Sequence, residues 1–383
     1  SKLALCLDQT DVFSIDPKWK LFINSHAAAF YDIDDGHRKA QGHPGAAIVS
    51  SVLSLAQDHS IEQLLHAIAI GYEVAVREAL VFRNFGGPRK GSGGWVAPGV
   101  AASIGILIGL NAEQMQHAIA LAEYSSPQAT QDRSVEFPSM MKEGVPFACV
   151  SGAKCAELAL AGMTSMKPFL QDSKFANDLG DNWEITNTYF KDYACCRWAH
   201  PVLDCFKTTI VSQLGFDIKT VNQIKVLSFD KATLLHKRRP ETIMEAVYSI
   251  PFSIGCFVVF GNVDPVTIAK PGTLSHPTIM EIADKVQIIE DPELTKEFPL
   301  KCLERLILEF EDGSRYQSGI LSAKGDPQNP YSVKELEEKF LRITAPVMGD
   351  RNKEIIQLLD VGSDLKKLTA SNIIDILNHT EFP

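Results

Sequence analysis

Apolar residues recur at three- and four-residue spacing from His43 to about Leu214, so this stretch is predicted to be helical. Ser60 with Gln63 makes a capping-box pattern ahead of a helix over 61–84, and Asn111 with Gln114 repeats it ahead of 115–124. Pro98 opens a helix of small residues over 99–110. Two more helices follow, over 147–161 and 200–213, the latter closed by Gly215. Beyond Phe216 the period changes. Residues 221–229 alternate like a strand, and 303–311 and 315–321 flank Asp312-Gly313, a hairpin signal, with a helix over 277–285 between. Ser332 with Glu335 caps another helix, and 353–378 is helical again. The expected fold is mainly α: a large all-helical domain over 1–215, an inserted smaller α+β domain over 216–330, and a helical return over 331–383 that completes the first domain. The natural pocket is a cleft between the two domains.

The chain has 383 residues and 45% hydrophobic content, enough for a sizeable core. No apolar run approaches the roughly 18 residues that cross a bilayer, so no membrane partner is expected. The net charge is −10 and there is no Lys/Arg block to track a phosphate backbone, which argues against nucleic acid. Eight cysteines (6, 149, 155, 195, 196, 205, 256, 302) show no CxxC spacing. Neither a disulfide framework nor a metal site is indicated, and reduced thiols in the cytoplasm are expected.

Two His-Pro pairs carry the candidate chemistry. His43-Pro44 and His200-Pro201 each open an apolar helix, with Asp32, Asp34 and Asp35 ahead of the first and Cys195-Cys196-Arg197 ahead of the second. A histidine at a helix mouth faces free N–H groups and the positive dipole end, which attract anions and disfavour an imidazolium. Such a neutral imidazole is a candidate general base. In an extended segment Asp32 and Asp34 point to one side and Asp35 to the other. Arg197 offers a planar fork that grips a carboxylate bidentately. His37 is expected to be exposed in its Gly-, Lys- and Arg-containing loop, His26 to be a satisfied core residue, and Cys195 and Cys196 to be small packing residues.

Asn24-Ser25-His26-Ala27 through Asp32-Ile33-Asp34-Asp35, followed by His43-Pro44-Gly45-Ala46, resembles the signature of the MmgE/PrpD family. Gly71-Tyr72-Glu73, Ser139-Met140-Met141-Lys142, Tyr193 to Pro201, Tyr248-Ser249-Ile250-Pro251-Phe252 and Gly325-Asp326-Pro327 extend the likeness over nearly the whole chain. That family includes 2-methylcitrate dehydratase, cis-aconitate decarboxylase and iminodisuccinate epimerase. The resemblance implies that the α+β domain is a lid, that the protein is a homodimer, and that it acts on small carboxylates without a cofactor. It places His43, His200, Asp32 and Lys142 in catalysis, and Arg197, Asp35, Trp95 and Phe252 around the substrate. Some positions differ from the usual pattern. The family commonly has a further helical stretch before the Asp-rich motif, Thr at Gly36, Trp-His at Trp95-Val96 and Arg-Leu-His at Glu143-Gly144-Val145, and relatives can carry a tyrosine at Phe252.

The expected activity is a lyase reaction that starts by removing a proton α to a carboxylate, as in a 2-methylcitrate dehydratase. An iminodisuccinate epimerase-like isomerase and a cis-aconitate decarboxylase-like enzyme are the alternatives, and a non-catalytic carboxylate-binding homologue is the alternative of another class.

Overall fold

Small residues decide how the helices of the first half meet. The computed structural model describes residues 17–378 apart from 57, 211–216 and 360–364. Its helices run α1 Pro17–Phe30, α2 Pro44–Leu55, α3 Ile61–Asn84, α4 Ala97–Leu107, α5 Ala112–Ser125 and α6 Val145–Leu160. The capping boxes of Ser60 with Gln63 and of Asn111 with Gln114 both form, fixing the starts of α3 and α5. Backbones approach closely where side chains are absent. A Cβ on Gly99 of α4 would lie 2.4 Å from the Gly71 carbonyl of α3 and 2.5 Å from the Ala75 Cβ, and one on Gly152 of α6 would lie 2.4 Å from the Ala97 carbonyl. The Ala-, Ser- and Gly-rich faces are therefore the contact faces, and α4 is buried along most of its length between its neighbours.

Helix α7 is short, His200–Cys205, and continues as a π-turn over Phe206–Ile210. The expected stop at Gly215 lies outside the described residues, as does Cys6. The strands are β1 Gly36–His37, β2 Thr188–Tyr189, β3 Val221–Ser228, β4 Val286–Glu290, β5 Leu303–Phe310, β6 Arg315–Gln317 and β7 Leu321–Ser322. β1 pairs with β2, and the others form a mixed sheet in the order β4-β3-β5-β6, with β7 also on β5. β3 and β4 are parallel, linked through α8 Ile250–Phe260 and α9 Pro277–Asp284. The expected strand over 315–321 splits into β6 and β7. The β6 segment pairs Tyr316 with Leu308 and β7 pairs Leu321 with Glu304; between them Ser318 bonds Leu306 through its N–H and its hydroxyl, both at 2.9 Å, and the ladder breaks at Gly319 and Ile320. Helix α8 is apolar all round and is buried accordingly, capped by Ser249 and ended by Gly261 at φ +73°.

The fold is mainly α. The hydrophobic cluster that holds the sheet takes in Tyr193, Val202, Leu203 and Phe206, and reaches back to Phe30 and Val135, so α7 packs with the strands, ahead of residue 216. At the other end, α10 Val333–Met348 carries the Ser332/Glu335 capping box, and α11 Ala370–Asn378 returns to the first helices. Ala370, Ile373 and Ile374 join Val52, Ile61 and Leu64 in one cluster. Among the described residues no helix is long and apolar enough to cross a membrane.

Gly99→Ala tests the close approach. Alanine gains roughly 1 kcal/mol in helix propensity over glycine, whereas overpacking against the Gly71 carbonyl costs about 1–3 kcal/mol. The variant is expected to unfold at lower urea than the parent, and an equal or higher midpoint overturns the packing account.

Candidate active site

Left-handed backbone delivers the charged residues to one place. Asp32 has φ +53°, Lys142 +41° and Glu143 +56°, a region that non-glycine residues seldom occupy. The turn at 142–143 reaches α6 through Gly144, at φ +77°, and packs on Gly93, where a Cβ would sit 2.4 Å from the Glu143 carbonyl. The side chains so directed are buried: Asp32 is 1% exposed, Lys142 4% and Glu143 4%.

Lys142 Nζ donates to Asp32 Oδ1 and to the Tyr248 hydroxyl, the latter at 2.9 Å. Lys191, fully buried, donates to the Asp32 carbonyl at 2.8 Å and to Asp34 Oδ1 at 3.1 Å, and its ammonium lies 3.0 Å from Asp32 Oδ2. Burial alone would raise the Asp32 pKa, but Lys142 and Lys191 outweigh it and hold the carboxyl far below its ordinary range. The same contacts hold both ammoniums above the usual lysine value despite their burial. Asp32 and Asp34 do share a side, and Asp35 turns away. Its Oδ1 accepts from the Gly45 N–H at 2.9 Å and its Oδ2 from the Tyr72 hydroxyl at 2.8 Å, which fixes the mouth of α2. Burial, with Asp34 beside it, pushes its pKa up to about 6.

His43 caps α2 and stands in the wall of a cavity lined also by Asp32, Glu143, Tyr189, Arg197 and Tyr248. Its Nδ1 lies 2.6 Å from the Asp35 carbonyl. A carbonyl only accepts, so Nδ1 carries the proton and the neutral ring keeps its lone pair on Nε2, 3.9 Å from Asp32 Oδ1. Opposite charges complete the wall. Tyr248 donates to Glu143 Oε1 at 3.0 Å, and Glu143 Oε2 accepts from Ser92 N–H at 3.0 Å and from its hydroxyl at 2.8 Å. Burial raises the Glu143 pKa, but Lys142 and the bond from the Ser92 N–H lower it and the net shift is downward, so it stays ionised, whereas burial and Glu143 together keep Tyr248 protonated.

Arg197 lines the cavity but is already engaged. Its guanidinium donates to the carbonyls of Phe190, Ala323 and Lys324, lies 3.3 Å from Asp326 Oδ2, and stacks 4.8 Å over the Tyr189 ring. Arg38 also lies over the Tyr189 ring, at 4.8 Å, and grips Asp326 bidentately at 3.0 and 3.1 Å. Gly36 makes room for this stack, since a Cβ there would lie 2.3 Å from the Tyr189 ring.

Several expectations are corrected. His200 is 1% exposed and is not among the cavity-lining residues. Its Nε2 faces the Cys195 carbonyl at 3.3 Å and its Nδ1 faces Arg197 Nη1 at 3.4 Å, so the neutral ring accepts from the guanidinium and orients it. Trp95, 1% exposed, lines a neighbouring cavity and packs under Gly42. Phe252 is fully buried in the sheet-side core, and Asp35 holds a helix end; neither lines the cavity. Lys142 reaches the wall through Asp32 and Tyr248, both of which its ammonium contacts, and itself lines an adjacent cavity. His37, expected to be exposed, is 1% exposed, lines the cavity and pairs with Glu184 at 3.1 Å. His26 is buried with its Nε2 2.7 Å from the Met140 carbonyl and Cys195 is a buried packing residue, as expected, whereas Cys196, also buried, lines the cavity.

Sequence reasoning missed Lys191, Tyr189, Arg38 and the roles of Glu143 and Tyr248. Tyr248 and Asp326 stood inside recognised motifs, a usable signal; Lys191 and Tyr189 had none. Asp32, Asp34 and His43 place ligand atoms within 4.8 Å of one another, a spacing that suits a cation. The two lysine ammoniums already occupy the carboxylates, so this set does not fit a resident metal ion.

A family model described as the MmgE/PrpD N-terminal domain matches residues 9–179, and one described as the C-terminal domain matches 193–364. No curated protein matches the sequence.

The buried His200 ring sets a pH dependence. Burial foremost, then Arg197 and Lys191, hold its pKa well below 6.5. Below pH 6.5 the unfolded chain therefore takes up a proton that the native ring refuses, and stability falls with acidification. Relative to His200→Gln, the wild type is expected to lose about 2 kcal/mol between pH 7 and pH 5. Urea titrations of both proteins check this, and a pH-independent difference contradicts a neutral buried ring.

Proposed function

This chain belongs to the MmgE/PrpD family, and from that premise we propose that it removes a proton α to a carboxylate of a small di- or tricarboxylate. The single observation that carries the reading is His43: proton on Nδ1 fixed by the Asp35 carbonyl, Nε2 free to accept, ring in the cavity wall. The carboxylate of Asp32 stands 3.9 Å from Nε2 and steadies the imidazolium that forms when the proton is taken. Negative charge developing on the substrate carboxylate faces Arg197 and Tyr248, whose hydroxyl receives an N–H from buried Lys142. In a dehydration of a 2-methylcitrate-like substrate, His43 then returns the proton to the departing hydroxyl. His200 acts in this scheme as a positioning residue for Arg197.

The Tyr248 hydroxyl, held between Lys142 and Glu143 in the same wall, favours a second reading. With two protonation groups in one cavity, His43 removes a proton and Tyr248 returns one, which is epimerisation. The seven described cysteines are free buried thiols, which supports a reducing compartment such as the cytoplasm. Exposed Trp19, Met141 and Phe147 on the α1 and α6 side support a homodimer. Closure of the sheet portion as a lid belongs to the same proposal.

Incubation with 2-methylcitrate, citrate, cis-aconitate and iminodisuccinate in deuterated water, followed by NMR, separates the outcomes. Alkene formation supports dehydration, α-deuteration with inversion supports epimerisation, and CO2 release indicates decarboxylation. His43→Ala is expected to lower turnover by about 10²-fold or more. A near-native rate removes His43 from the mechanism, and carboxylate binding without exchange of any substrate makes the chain a non-catalytic binder.

A further inference from the structure

A second cavity shares a wall with the catalytic one. It lies between the C-terminal end of α3 and the loop over 86–90, and its side-chain lining includes Phe82, Arg83, Arg89, Lys90 and Trp95. Arg89 lines both cavities. Every polar side chain in this lining is a hydrogen-bond donor, and none is an acceptor.

These donors are poorly matched within the protein. Arg83 gives one N–H to the Ala40 carbonyl at 2.5 Å, but its Nε is buried and has no acceptor among the described residues. Trp95 is 1% exposed, and its indole N–H likewise has none. Lys90 Nζ sits 3.8 Å from the Phe82 ring centroid and forms no ion pair with any described carboxylate. Arg89 alone has a counter-charge, pairing with Asp132, which is itself about half exposed. Glu78 is buried against Glu123, and burial foremost pushes its pKa up to about 10. Buried donors are almost always satisfied in native proteins. Three cations facing one half-buried space with a single exposed counter-ion need an acceptor-rich partner from outside the chain.

We propose that this cavity is a second anion site, which takes a small oxyanion of two or more charges through Arg83, Arg89, Lys90 and the Trp95 indole N–H. Two sources share that chemistry, inorganic phosphate and a free di- or tricarboxylate. Guanidinium and ammonium bonds to either are charge-assisted and strong for their length. Because Arg89 serves both cavities, an anion in the second draws that side chain away from the first. Binding at the two sites is then antagonistic, and the linkage is reciprocal. The site stands on its own residues and does not depend on the reaction proposed for the catalytic cavity.

Calorimetric titration of the full chain with inorganic phosphate, and in parallel with citrate, at fixed ionic strength tests the proposal. Lys90→Gln is the informative variant, since Lys90 forms no side-chain hydrogen bond within the described protein and stands outside the proton-transfer groups. It is expected to weaken binding of the preferred anion about tenfold, the worth of one charge-assisted contact, while basal turnover is unchanged. His43→Ala keeps this binding, which separates it from occupancy of the catalytic cavity. The anion also changes the tryptophan emission of the parent, and Trp95→Phe removes that change, a readout that does not require altering any charge. Loss with phosphate alone, or with citrate alone, identifies the source. If neither anion binds the wild type, or if Lys90→Gln binds both as tightly as the parent does, the cavity is not an anion site.

Discussion

Two ammonium groups buried against one carboxylate are the constraint on which the site depends. Taking Asp32, Lys142 and Lys191 out of water costs several kcal/mol per ion, and only a complete set of partners offsets it. The partners come from distant parts of the chain: the Asp-rich segment, the turn before α6, the strand-end at Lys191 and Tyr248 ahead of α8. Leaving any one unpaired would strand a charge in the interior. Helices from the first half and the sheet-side core are thereby held in one relative placement, and the cavity is the space left between them. The imidazole of His43 inherits its position from this arrangement, through the Asp35 carbonyl on one side and the Asp32 carboxylate on the other.

What the sequence disclosed and what it hid divide along the range of the interaction. Capping boxes at Ser60, Asn111 and Ser332 are local hydrogen bonds between residues three apart, and all three form where the pattern places them. The Asp312-Gly313 hairpin is local in the same sense, whereas the division of 315–321 into two short strands depends on how β5 presents its edge. The two His-Pro pairs look alike as sequence because both begin a helix. Burial separates them: one opens beside a cavity, and the other is sealed behind Arg197 by Tyr193 and the Cys195 carbonyl. Lys191 carried no signal, because a lysine becomes a buried counter-ion only when segments 157 to 159 positions apart fold over it.

Departures from the usual family pattern have structural counterparts here. Gly36 lies against the Tyr189 ring, so a branched side chain there would meet the aromatic group that Arg38 and Arg197 both stack on. Phe252 is fully buried in the sheet-side core, and a hydroxyl at the wall comes from Tyr248, four residues earlier. Glu143 brings a carboxylate of its own, which ties Ser92 and Tyr248 to the turn. Val96, where histidine is common, is fully buried among apolar neighbours.

The turn at 142–144 joins two demands that pull in opposite directions. Its φ values suit glycine, so a substitution to glycine at Glu143 would ease the backbone and yet delete the group that steadies Tyr248. Backbone ease and the integrity of the cavity wall thus compete at a single residue, and drift along this stretch of chain is confined to a narrow corridor.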